Sequence, residues 1–182
     1  MQFTETSEVL IQLDGYDDIF SDFDVRPYSR RALSSDFIDE MKRATRYKRD
    51  EGIELTFIIP LKGRDEQHEA TIRERLAGHF ARHRDILIQD KRKVIFLGAG
   101  MMILGIIGMI VTTFIRQDPS TTLLHSFLIV FFEPASLFML WEGMDQILFN
   151  SKKINPELDF YRKMSNTEGQ ITFRAVEPIE VK

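Results

Sequence analysis

Few residues in this chain have the type and spacing to do chemistry, and the most pointed is Glu133. It stands with Pro134 near the middle of an apolar stretch from about Thr121 to Trp141. A carboxyl group at the centre of a bilayer costs roughly 3 kcal/mol or more unless it is protonated, paired or facing water. Ser126 and Ser136 fall near Glu133 on a helical wheel, with His125 close to the same stripe. Two readings follow. One is a proton or ion path lined by this face in an oligomer; the other is a structural carboxyl hydrogen-bonded across helices, for instance to a carbonyl freed by Pro134. Proline removes one helical bond in either case, so a kink is expected there.

The remaining candidates lead away from catalysis. His79 and His83 lie one helical turn apart, a spacing zinc uses, but a third ligand and the Glu of an HExxH motif are missing. A partly packed polar helix face is the better reading, and no metal or other cofactor is expected. Asp14, Asp17, Asp18, Asp22 and Asp24 have the chemistry of a calcium loop without its order: Gly15 is misplaced and the closing Glu is absent. They read as an acidic loop, in which Asp22 and Asp24 would pair with Arg26, Arg30 or Arg31 as a structural or intersubunit lock. GxSxG, P-loop and GxGxxG motifs are all absent, and there is no cysteine, so neither an enzyme nor a thiolate site is expected. Gly98-Ala99-Gly100 lies inside an apolar stretch and cannot cradle phosphate there.

The elements that must position Glu133 are plain in the sequence. Val94 to Ile115 is 22 residues without a charge. At about 1.5 Å per residue it reaches about 33 Å, enough for a hydrocarbon core of about 30 Å. A short break, Arg116-Gln117-Asp118-Pro119-Ser120, separates it from the Glu133 stretch. The pair predicts a transmembrane helical hairpin over 94–149, with spans at about 94–115 and 121–142. The chain has 182 residues and a mean hydropathy of −0.18. That value looks soluble only because charged flanking segments dilute the spans.

Lys and Arg placement predicts orientation. Arg82, Arg84, Lys91, Arg92 and Lys93 precede the first span, and Lys152 and Lys153 follow the second. The connecting loop has only Arg116, balanced by Asp118. Both termini are therefore expected in the cytoplasm, with a short loop on the far side of the membrane. Lys91, Arg92, Lys93, Lys152 and Lys153 would gather at anionic lipid headgroups, each worth about 1 kcal/mol, although orientation alone also explains them. Met1 to Leu13 lacks the basic-then-apolar order of a signal peptide, so the first span is expected to direct insertion itself. The formal net charge of −4 argues against nucleic acid as a partner.

Gly98, Gly105 and Gly108, with Met101 and Thr112, form a seam of small residues on the first span. Such seams let helices approach closely in lipid. This one would pack on the second span or on another subunit, and a homo-oligomer is expected, since two helices alone must hide both the seam and Glu133.

Outside the hairpin the pattern is mixed. Val9, Ile11 and Leu13 alternate as a strand that turns at Asp14-Gly15. Ser34 or Ser35 caps a helix to about Arg49, with Phe37, Met41 and Ala44 on its buried stripe. Ile53 to Ile59 is the clearest strand, ended by Pro60 and Gly63. Ile72, Leu76 and Phe80 mark a helix from about Arg64 that runs into the first span. After the hairpin, whose second helix is expected to continue to about Phe149, Asn155-Pro156-Glu157 starts another helix. Gly169 then opens a last strand with Ile171, Phe173 and Ala175 on one face. A lone strand needs partners, so it is expected to join the sheet of the N-terminal segment, in the same subunit or a neighbour. The expectation is an α+β fold: a small cytosolic domain of about three strands plus helices, drawn from 1–93 and 150–182, on the hairpin.

Phe23-Asp24-Val25-Arg26-Pro27-Tyr28-Ser29-Arg30-Arg31-Ala32-Leu33 resembles the FDxRP pattern of a family of small prokaryotic two-span membrane proteins of unassigned function. There too it precedes a helix, an Ile/Leu-rich strand ending in Pro and two spans. The resemblance implies a prokaryotic plasma-membrane protein and no particular activity. Together these readings point to a self-assembling membrane scaffold with packed cytosolic domains. Two alternatives stand beside it: a homo-oligomeric ion or proton pore using Glu133 and gated by the cytosolic domain, and an accessory subunit of a larger membrane complex.

Overall fold

The computed structural model describes residues 7–47, 53–117, 122–166 and 171–176. The helix end expected near Arg49, the loop residues Asp118, Pro119 and Ser120, and the turn at Gly169 lie outside them. The chain divides into two compact units, Met1–Asp85 with Leu158–Lys182, and Ile86–Glu157.

The first unit is a three-stranded sheet, β1 (Ser7–Gln12), β2 (Ile53–Pro60) and β3 (Ile171–Val176), in the order β1-β2-β3. Both pairings are parallel, with Val9 beside Leu55 and Phe57 beside Phe173. The last strand therefore finds its partner in its own chain. Parallel neighbours require crossover connections. The first runs through α1 (Ser35–Thr45). The second contains α2 (Glu66–Gln117), α3 (Leu123–Asp145), the single turn α4 (Ser151–Lys153) and α5 (Asn155–Ser165). The two helices long and apolar enough to cross a membrane are thus inserted inside one β-helix-β crossover.

Alternation decides which face of the sheet is covered. Val9, Ile11, Leu55, Phe57, Ile171 and Phe173 are buried, against Phe37 and Met41 of α1, Ile72, Leu76 and Phe80 of α2, and Leu158 and Met164 of α5. Phe57 sits between Phe37 and Phe173, at ring-centre distances of 5.8 and 5.4 Å. The other face is polar. Thr56 is fully buried there, because its hydroxyl donates to Glu8 at 3.0 Å and meets the Thr172 hydroxyl at 2.9 Å. Arg174 closes the row on Glu8 at 2.9 Å.

Asp65 starts α2 by accepting from the backbone N–H groups of Gln67 and His68 at 2.8 and 3.3 Å. Those bonds hold its carboxyl below the usual carboxylate range. Ser34 occupies the cap position of α1, but its side chain makes no capping bond. α2 is continuous from Glu66 to Gln117, as the absence of a strong breaker predicts. The helix expected to run on to about Phe149 continues past it to Lys153, with a π-helical turn over Gln146–Asn150. Side chains bridge that turn: Asn150 donates to Gln146 at 3.0 Å and Gln146 to Glu142 at 2.9 Å.

Candidate functional site

The second unit is built around a seam of small residues. Gly98, Gly105 and Thr112 of α2 are buried at a spacing of seven, as are Ser136 and Gly143 of α3. A seven-residue period keeps one face of a helix toward its neighbour. The backbones touch here. A Cβ on Gly98 would stand 2.7 Å from the Gly143 carbonyl oxygen, and one on Gly105 would stand 2.7 Å from that of Ser136. A Cβ on Gly108 would overlap the Ser136 hydroxyl, whereas Gly100 has open space around it. Gly98 lies opposite Gly143, and Gly108 opposite Ser136, so the two helices run antiparallel. The seam left open in the sequence between the second span and another subunit is thus occupied by the second helix of its own chain.

The hydroxyls of the seam bond inside their own helices. Ser136 donates to the Phe132 carbonyl at 2.6 Å and Thr112 to that of Gly108 at 2.8 Å. Both groups are satisfied without help from the facing helix.

Glu133 lies at the margin of this seam, next to Pro134 in an unbroken α3, and its partner is Arg116, Nη2 to Oε2 at 2.5 Å. Helical side chains lean toward their own N-terminus. In an antiparallel pair Arg116 and Glu133 therefore lean toward each other, which closes a gap that sequence position alone makes look too wide. The sequence assigns Arg116 to the connecting loop with Asp118 as its balance; the structure gives it to Glu133. The pair is not hidden within the single chain, since the Arg116 side chain is 61 % exposed and that of Glu133 55 %.

His125 packs near the outer end, its Nε2 at 2.6 Å from the Ile115 carbonyl oxygen. A carbonyl only accepts, so this contact requires the Nε2–H tautomer. Ser126 is exposed and makes no contact with Glu133. The wheel stripe thus separates: Ser136 faces α2, Glu133 sits at the edge, and Ser126 points outward. At the opposite end Lys91 donates to Asn155 at 2.6 Å, Lys153 to Asn150 at 2.7 Å, and Lys93 pairs with Asp90 at 3.0 Å. Arg92 and Lys152 are exposed.

In the first unit the charged loop is tied to itself. Asp24 takes a two-pronged grip from Arg26, at 2.9 and 2.7 Å, and accepts from the Ala32 N–H at 2.7 Å. The Arg26 guanidinium, then that N–H, hold its carboxyl far below the usual range. Asp17 pairs with Arg31 at 2.5 Å, and Asp18 caps the turn at Asp14 and Gly15. Asp22 and Arg30 make no ion pair among the described residues. His79 and His83 do meet, with ring centres 4.0 Å apart, and His83 stacks on Tyr161 at 5.1 Å. Among the described residues no group of three His, Asp or Glu side chains gathers as metal ligands.

Three features escape the sequence reading. Gly143 carries a signal it overlooks, the spacing of seven from Ser136. Arg116 needs the lean of helical side chains to be seen as a partner of Glu133. The third is Glu69, 1 % exposed, which accepts from Arg64 at 2.8 and 3.0 Å, from Arg73 at 3.3 Å and from the Tyr16 hydroxyl at 3.1 Å. Burial raises the Tyr16 phenol above its ordinary range, and the Glu69 charge adds to that. Arg73 also donates to the Ile171 carbonyl at 3.0 Å, which ties the start of α2 to β3.

Comparison with protein-family models, with curated proteins and with solved structures finds no match to this chain.

Proposed function

We propose that this chain is an oligomeric integral membrane protein that assembles with itself as a scaffold, its hairpin in a prokaryotic plasma membrane and its termini in the cytoplasm. The observation that carries the reading is the half-exposed Arg116–Glu133 pair on the rim of the hairpin. The glycine seam is already filled by α3, so the hairpin has no inner surface left to cover that pair. An ion pair on a lipid-facing rim is costly, and protein from a neighbouring copy is the cheapest cover. The positive residues at one end of the hairpin, Arg92 and Lys152 among them, support the orientation and contact with anionic lipid headgroups.

The test is the particle mass of the full chain in lipid nanodiscs. A discrete multiple of 21.3 kDa supports assembly; a particle of one copy sinks it. The second reading, a homo-oligomeric ion or proton pore, draws on the same pair together with His125 as a further polar group in the apolar unit. It requires Glu133→Gln to change ion or proton flux into vesicles while the particle mass stays the same. A scaffold gives no flux with either side chain.

A further inference from the structure

The loop between β1 and α1 holds two apolar side chains almost wholly in water: Phe23 is 99 % exposed and Val25 98 %. The loop is firmly built. Besides the grip of Arg26 and Ala32 on Asp24, the Asp24 N–H bonds the Ser21 carbonyl at 3.2 Å, and Arg31 reaches that same carbonyl at 3.2 Å. A fixed apolar knob gains nothing for the isolated fold, so its gain lies in what covers it. Beside it runs a groove of about 490 Å³ walled by Arg26, Pro27, Tyr28, Ser29, His68 and Thr71. Its floor is aromatic, with Tyr28 and His68 edge to face at 5.2 Å. The rim continues along α2 to Arg75.

From this juxtaposition we infer that the occupant of the groove is the Phe23–Val25 knob of a second copy of this chain. The charges left over argue for it. Asp24 and Asp17 are paired with Arg26 and Arg31, while Asp22 beside the knob and Arg30 beside the groove have no ion-pair partner among the described residues. They are opposite in sign, and in the chain Asp22 directly precedes the knob while Arg30 directly follows the groove residue Ser29. Knob and groove are different residues of one loop region, so each copy both gives a knob and receives one, by reciprocal exchange across a two-fold axis or head-to-tail around a ring. This inference rests on the self-assembly proposed above and gives it a cytosolic contact.

Two measurements on the full chain test it. The chain has no cysteine, so introduced ones are unambiguous. One tagged copy carries Val25→Cys and a differently tagged copy carries Thr71→Cys; the two are expressed together and oxidised in the membrane. A disulfide-linked heterodimer is expected, because the bond forms only when Cα atoms approach within about 7 Å. In parallel, Asp22→Arg or Arg30→Asp alone should cut the assembled fraction about tenfold, and the double reversal should restore it. These residues are exposed, so folding of each copy is unaffected. A multimeric particle with no heterodimer and no response to either reversal overturns this contact and leaves assembly through the hairpin standing. A wild-type particle of one copy overturns both.

Discussion

Glu69 holds two arginines and a tyrosine from within the covered core, and its removal strands all three. Glu69→Ala should cost about 3 kcal/mol, the range for breaking a buried charged network. A lowered thermal unfolding midpoint of the first unit, read in nanodiscs, checks it. His79 holds its proton less well than a surface histidine does. Burial, then the charges of His83 and Arg75, push its imidazole down to about 4, and its Nε2 is buried without a hydrogen-bond partner. The unfolded chain binds that proton near pH 6.5, so it takes up more protons than the fold between about 6.5 and 4. The contribution of His79 to stability is full above pH 6.5, declines as pH falls through that window and is gone below about 4. His79→Leu should remove that part of the acid sensitivity, compared by unfolding midpoints at pH 7 and pH 5.

At the scale of elements, the seam between α2 and α3 is set by atoms that are missing. Gly105→Leu would force a branched side chain against the Ser136 and Leu140 backbone, where even a Cβ lies at 2.7 and 2.8 Å. The helices must then part. The expected result is loss of the compact hairpin, detected as rapid trypsin cleavage at Arg116 in nanodiscs, while Gly100→Leu leaves the digestion pattern unchanged because Gly100 faces open space. Much of this was legible in the sequence. Ile53–Ile59 and the Ile72-Leu76-Phe80 stripe carry strong periodicity and became the strand and helix they predict, and the two continuous apolar stretches became helices long and apolar enough to cross a membrane. The strand direction was not legible, because alternation is identical in parallel and antiparallel strands. The π-turn at Gln146–Asn150 was hidden as well, since no Pro, Gly or break in the apolar pattern marks it. The Glu133 site was half visible: the acid announces itself by cost, whereas its arginine sits at a helix end where a charge needs no explanation.

At the scale of the whole molecule, the rim pair ties the chain to its surroundings. With Arg116→Leu and Glu133→Leu together the rim becomes apolar, and the need for protein cover disappears. Under the scaffold reading the double variant keeps a compact hairpin but shifts to smaller particles, while either single change, which leaves one charge unpaired, costs on the order of 3 kcal/mol of hairpin stability. Particle mass and SDS-titration midpoints separate the two effects.

One topological feature has a bearing on biogenesis. The two long apolar helices sit within the crossover between β2 and β3, and those strands are neighbours in one sheet. Strands can pair only in the same compartment. Under the two-span reading proposed above, a chain that threads one helix and not the other leaves β3 across the bilayer from β2, and Phe57 and Phe173 then never meet. Because β3 is synthesised last, closure of the sheet registers that the preceding crossings are even in number. Under the two-span reading, a mis-threaded chain leaves the buried face of β2 without its β3 neighbour.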